Sequence, residues 1–195
     1  IVENNKDVLG RIAVLHNHNF CDYHNVKTAF FYYFEAVNNP DVSRLLFSAA
    51  KEWCQDRDLD TIIGPKGFLR SQGIGLLING FDKLPAVGIP YHQPYYQALV
   101  EDFGFVKSHD HFSGYLDHHL DEKIHVIAEK VLARGNFVIR DFYDIQEIIK
   151  WIPVVDEIQQ KAFSENPNFY PSSREEFDLL AKNILALAAW SELSR

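Results

Sequence analysis

His16, His18, Cys21 and His24 place four metal-ligand side chains within nine residues. A structural zinc site brings four such groups tetrahedrally onto one ion, and its short Cys or His pairs recur in a few fixed spacings. His-x-His followed by Cys and His at three-residue steps is not one of those frames. A polar surface loop accounts for the cluster and no metal is expected; a metal-binding loop is the alternative. His109, His111, His118 and His119 form a second group, read the same way. Asp82 and Asp110 are read as ordinary loop acids. Glu35 stands apart, because it follows the aromatic run Phe30-Phe31-Tyr32-Tyr33-Phe34 and so falls near the end of a strand. There it is a solvated strand end or a charge near a helix start. The aromatic run puts side chains on both faces of that strand, so it should be covered on each side.

These side chains sit in a chain of 195 residues, 47% hydrophobic, with a formal charge of −8 and pI ≈ 5.5. Such a chain buries one core, or two small ones that share an interface, and it lacks the basic stripe that nucleic acid requires. Two cysteines are too few for a disulfide framework, which fits a reducing, cytoplasmic setting. No apolar run approaches the roughly 20 residues that cross a bilayer. The chain contains no Met and opens at Ile1 in strand-like sequence, which reads as a fragment or a processed chain.

The elements that would position the candidates follow from period and punctuation. Val8–Leu15 and Thr28–Val37 read as antiparallel strands, joined by a polar loop over His16–Lys27. Asn39, Pro40 and Asp41 spell a helix start, and Val42, Leu45, Leu46, Ala49 and Trp53 supply its buried stripe. Thr61-Ile62-Ile63 closes a β-α-β crossover, which makes that part of the sheet parallel. Lys66–Pro94 is loop-like, with Leu76–Ile78 and Ala86–Ile89 as candidate short strands. Tyr96, Leu99, Val100 and Phe103 mark a helix closed by Gly104, and Phe105–Leu116 returns as a strand. Asp117–Gly135 reads as a connector helix burying Ile124, Ile127 and Val131. Phe137–Arg140 is a strand pattern, Asp144 with Glu147 opens a long helix kinked at Pro153, and Ser173 with Glu176 opens a last one.

The spacing of Gly64-Pro65, Gly75-Leu76-Leu77, Gly80-Phe81, Pro90-Tyr91, Pro94-Tyr95-Tyr96 and Gly104-Phe105, with Gly10-Arg11-Ile12-Ala13 before it, resembles that of bacterial proteins of the GNAT superfamily of acyl-CoA N-acyltransferases, over about residues 8–118. The resemblance implies an α/β fold, a mixed central sheet flanked by helices, with strands splayed around the pantetheine arm. Residues 1–118 would form one such unit lacking its first elements, 119–135 a connector helix, and 136–195 a strand and two helices beginning a second unit.

It also implies an acyl group moved from acetyl-CoA or another acyl-CoA to a small-molecule or peptide amine. Glu35 would then be the general base, and Tyr95 or Tyr96 the acid, since the usual Tyr position four before Gly104 holds Val100. The diphosphate loop would be Glu35–Asp41, which has no Gly and two acids and is read as degenerate. Arg70, Gly73 and Gly75 spell the Gly-rich pattern, though after the wrong strand and with no helix start behind it. A non-catalytic module that binds a ligand or partner on the same scaffold is the alternative. Nucleic acid and membrane are not expected partners. The apolar faces of the last two helices predict packing on the first unit or on a second copy, as in a homodimer.

Overall fold

The computed structural model describes residues 1–67, 73–86, 88–115, 122–142, 144–171, 173–179 and 181–182. Its contacts divide the chain into one unit of residues 1–111 with 163–180 and another of 112–162 with 181–195.

The first unit is built on a four-stranded mixed sheet in the order β1 (Val2–Glu3), β2 (Val8–Leu15), β3 (Thr28–Ala36), β4 (Thr61–Ile63). β1, β2 and β3 pair antiparallel, whereas β4 runs parallel to β3 after the crossover helix α2 (Pro40–Gln55). The helix starts as its residues dictate: Asn39 Oδ1 accepts from the Asp41 amide at 2.9 Å, Pro40 occupies the first turn, and Asp41 faces the positive end of the dipole. Its buried side is Val42, Ser43, Leu46, Phe47, Ala50 and Cys54. The expected stripe is therefore rotated, and Leu45 is 59% exposed. Ser43 can join the buried face because its hydroxyl donates to Pro40 O at 3.0 Å.

Between Arg11↔Glu35 and Ala13↔Tyr32 the register shifts, with Tyr33 at φ 49 on the bulged strand. An extra residue reverses the alternation of faces beyond it. Phe31 before the bulge and Phe34 and Ala36 after it thus join one core with Leu46, Phe47, Tyr96, Leu99 and Val100. Phe30 points the other way, into a smaller cluster with Phe20, Cys21 and Tyr170. Both faces of β3 are covered, as the aromatic run predicts.

Residues 18–24 correct the expected loop. They form α1 (His18–His24), capped by Asn17 Oδ1 on the Phe20 amide at 3.0 Å and closed by Asn25 in the left-handed conformation. Weak helix formers hide this helix in the sequence, and the burial of Phe20 and Cys21 supplies what propensity does not. Helix α3 (Tyr96–Glu101) ends near Gly104 at φ 108, as its spacing predicts. The described residues of 105–115 and 137–142 form no strand, a correction in both places. Val106, Phe112 and Val138 are 89%, 96% and 89% exposed, so these apolar stretches lack the neighbouring strand that a ladder needs. Leu76–Ile78 and the described residues of 86–89 are not strands either.

The second unit carries α4 (Glu122–Ala133) and the body of α5 (Ile145–Phe163), with Pro153 inside α5. Asp144 caps α5 through the Gln146 amide at 3.0 Å. Ile124 and Ile127, expected to be buried, are 52% and 60% exposed. Ser173 and Glu176 do form the reciprocal capping box, with Glu176 N to Ser173 Oγ at 3.2 Å and Ser173 N to Glu176 Oε2 at 3.0 Å, and the helical residues 174–179 belong to the first unit. No helix among the described residues is long and apolar enough to cross a membrane.

Gly64 sits where β4 leaves β3, and a Cβ there would lie 2.5 Å from Phe31 Cδ1 and 2.6 Å from Phe31 O. The carbonyl cannot swing aside as a side chain would. Gly64→Ala is expected to destabilise the first unit by about 1–3 kcal/mol in urea unfolding, the usual cost of overpacking. An unchanged midpoint would show that the strands are not held this close.

Candidate functional site

The parallel pairing of β3 with β4 lasts three residues, Thr28↔Thr61, Ala29↔Ile62 and Phe30↔Ile63. The Lys66 amide adds one more bond to Phe31 O at 2.8 Å. Beyond it β4 has ended and β3 runs on to Ala36 with no partner strand on that flank among the described residues, a bare edge termed the β3–β4 fork. The bulge at Tyr33 lies on the open arm.

The far end of that arm is where three candidates meet. Tyr95 Oη donates to Ala36 O at 3.0 Å, and the Ala36 amide donates to Tyr96 Oη at 3.3 Å. Two adjacent residues at the start of α3 thereby hold the two successive peptide groups that flank the Ala36 α-carbon. Their hydroxyls are not equivalent. Tyr95 commits its single proton to the carbonyl, whereas Tyr96 accepts and keeps its proton for another partner. Burial raises the pKa of Tyr96, with the Ala36 bond opposing, so the phenol stays protonated at neutral pH. Glu35 is the neighbouring residue and adds to the same rise. Its carboxylate meets Arg11 Nη2 at 2.9 Å across the β2–β3 ladder, with both side chains more than half exposed. An exposed pair of this kind contributes little to stability and leaves the second carboxylate oxygen open. The Arg11 guanidinium also lies 5.8 Å from the Tyr33 ring centre.

His92 joins this group, which residue types alone did not indicate. Its ring centre is 5.6 Å from that of Tyr96, and its Nδ1 accepts from the Leu77 amide at 3.4 Å. Burial lowers its pKa while Glu35 pulls it upward, which keeps the imidazole uncharged near neutrality. With Nδ1 accepting, the proton of the neutral ring is on Nε2. The only signal in the sequence is its place in Pro90-Tyr91-His92-Gln93-Pro94, two residues before the tyrosine pair's proline.

The remaining candidates lie elsewhere. Arg70 is outside the described residues. Gly73 is packed on Pro90, and Gly75, at φ 83, donates its amide to Pro65 O at 2.8 Å. That amide is already committed, and residues 73–80 start no helix. At the start of α2 the Asp41 amide is taken by Asn39 and the Asp41 carboxylate holds Arg44 at 2.8 Å. The Gly-free turn is thus closed by its own side chains. The His and Cys cluster does not converge on one point: the His16 and His18 rings lie tilted with centres 4.0 Å apart, buried Cys21 donates to Thr28 O, and His24 meets Phe169 O. Among the described residues no three His, Cys, Asp or Glu side chains form a group able to hold a metal ion. His118 and His119 lie outside the described residues.

No family model matches the chain, and no solved structure matches it. Two curated proteins do. The bacterial ceramide synthase of Caulobacter vibrioides is 31% identical over 152 residues, which is 76% of this chain and 39% of that protein. Protein YghO of Escherichia coli is 27% identical over 179 residues, 91% of this chain and 45% of that protein. The chain spans less than half the length of both, and over most of its own length it is a distant relative of each.

Proposed function

We propose that the chain is part of a GNAT-like N-acyltransferase, in which the β3–β4 fork takes the arm of an acyl thioester and the acyl group passes to an amine. The observation that carries this reading is the fork itself, where β4 stops at Ile63 and β3 runs on past its last bond at Phe31 as a bulged edge ending at two tyrosines. A free strand edge offers amide and carbonyl groups to an amide-bearing ligand such as pantetheine. The name of the Caulobacter relative supports the same bond, because a ceramide is an N-acylated long-chain amine.

In this mechanism the amine nitrogen attacks the thioester carbonyl, the C–S bond breaks, and the departing sulfur takes the free Tyr96 proton. The nitrogen loses a proton to Glu35, whose second oxygen is open. Tyr95 holds the Ala36 carbonyl in place. The committed amides at the start of α2 leave no diphosphate cradle there, so recognition rests on the acyl-pantetheine end. Those same amides favour a second reading, a non-catalytic module that binds a ligand or partner at the fork.

Thermal unfolding with acyl-CoA separates the two. A ligand at 100 times its Kd adds about 2.7 kcal/mol to stability. Palmitoyl-CoA and palmitoyl-pantetheine are expected to raise Tm about equally, since the diphosphate contributes little. A larger shift with the CoA ester would mean a working diphosphate site. No shift with either would leave the binding module.

A further inference from the structure

The chain leaves α5 and returns to the first unit as a short turn, in which the Asn168 amide donates to Asn166 Oδ1 and the Phe169 amide to Asn166 O, both at 2.8 Å. Phe169 and Tyr170 are 5% and 3% exposed. Tyr170 meets Phe20 edge-on at 6.2 Å, Phe169 meets Tyr23 at 5.9 Å, and Phe169 O lies 2.6 Å from His24 Nε2. Asn168 reaches further, because its Oδ1 accepts from Lys66 Nζ at 3.1 Å. Lys66 is therefore a junction. Its main-chain amide makes the last bond of the fork, to Phe31 O, while its ammonium lies 4.6 Å from the ring centres of both Phe20 and Phe30. Burial lowers the Lys66 pKa to about 8, and the two ring faces and the Asn168 oxygen act the other way, so the cation persists near neutrality.

We propose that residues 166–170 are a strap whose docking, through Lys66, fixes how far the β3–β4 fork opens, which makes Lys66 a positioning residue for the acyl-thioester slot. The slot rests on the reading given above; the strap does not. The bond that sets the root of the fork and the bond that holds the strap belong to one residue. A change in the strap must therefore be felt at the Phe31 carbonyl.

The test is amide hydrogen exchange in the 195-residue chain and two variants, together with palmitoyl-CoA binding. Asn168→Ala removes the acceptor from a charged donor, and the Lys66 amide should exchange about tenfold faster. Asn168→Asp keeps the oxygen and adds a charge, so the same amide should exchange more slowly than in the wild type. The α2 amides from Leu46 to Ala50 should not change in either, which separates strap release from general unfolding. Palmitoyl-CoA affinity should move at least ~3-fold, in opposite directions for the two variants, if the fork's opening governs binding. Equal Lys66 exchange in all three proteins, or the same direction of change in both variants, overturns the strap. If Asn168→Ala does not fold, faster or unchanged exchange in Asn168→Asp overturns it alone. If the exchange pattern holds and the wild type binds no palmitoyl-CoA, the strap stands and the acyl-thioester reading falls.

Discussion

Phe47→Ala is expected to cost about 4 kcal/mol of stability, within the usual range for deleting a buried aromatic ring. Phe47 is fully buried, stacks on Phe34 at 4.7 Å, and lies 5.0–5.5 Å from the rings of Phe31, Phe103 and Phe105. These neighbours come from β3 and from the segment after α3, so they cannot collapse together into the space left behind. The loss should appear as a drop of roughly 8–16 °C in Tm, at about 2–4 °C per kcal/mol for a chain of this size. Leu45→Ala is the control, because Leu45 lies on the same helix and is solvent-facing; its effect should stay within about 0.5 kcal/mol. Two variants of equal cost would mean that α2 presents the face its sequence first suggested.

That face shows how far the sequence could be read. The caps of α2, the crossover to β4, the capping box at Ser173 and the stop at Gly104 were all legible, since each rests on a local side chain meeting a local backbone group. The rotation of α2 was not. Leu45 and Ala49 fit a helical stripe as well as Ser43 and Phe47 do, and the face that packs is set by tertiary contacts that local spacing does not encode. A bulge in a run of five aromatic residues leaves no trace in composition. The strands expected over Phe105–Leu116 and Phe137–Arg140 do not form among the described residues for a related reason, because strand propensity needs a partner and the sequence does not name one. Among the site residues, Glu35, Tyr95 and Tyr96 were reachable only through a family resemblance, and His92 only by its place two residues before the proline that precedes the tyrosine pair. Their meeting depends on α3 reaching back some 60 residues to the Ala36 peptide.

Tyr96→Phe is expected to lower acyl transfer by at least about 100-fold, the scale on which a positioned proton donor acts. The comparison with Tyr95→Phe gives that number its meaning. Each change removes one hydroxyl from the backbone of the same residue, so each should destabilise the first unit by about 1–3 kcal/mol through an unpaired group at buried Ala36. Only one of them removes a proton that is free to leave. If both variants lose transfer equally, the tyrosines merely hold the strand end and the sulfur takes its proton from elsewhere. If Tyr96→Phe alone loses it, with palmitoyl-CoA affinity unchanged, the loss lies in the chemical step. Because burial holds the phenol protonated, the Tyr96-dependent part of the rate should persist as pH rises through neutrality and fall only on the alkaline side of an ordinary tyrosine. A fall in rate as the pH drops below neutrality, present in Tyr96→Phe as well, would instead point to the imidazole of His92, which titrates below its usual range.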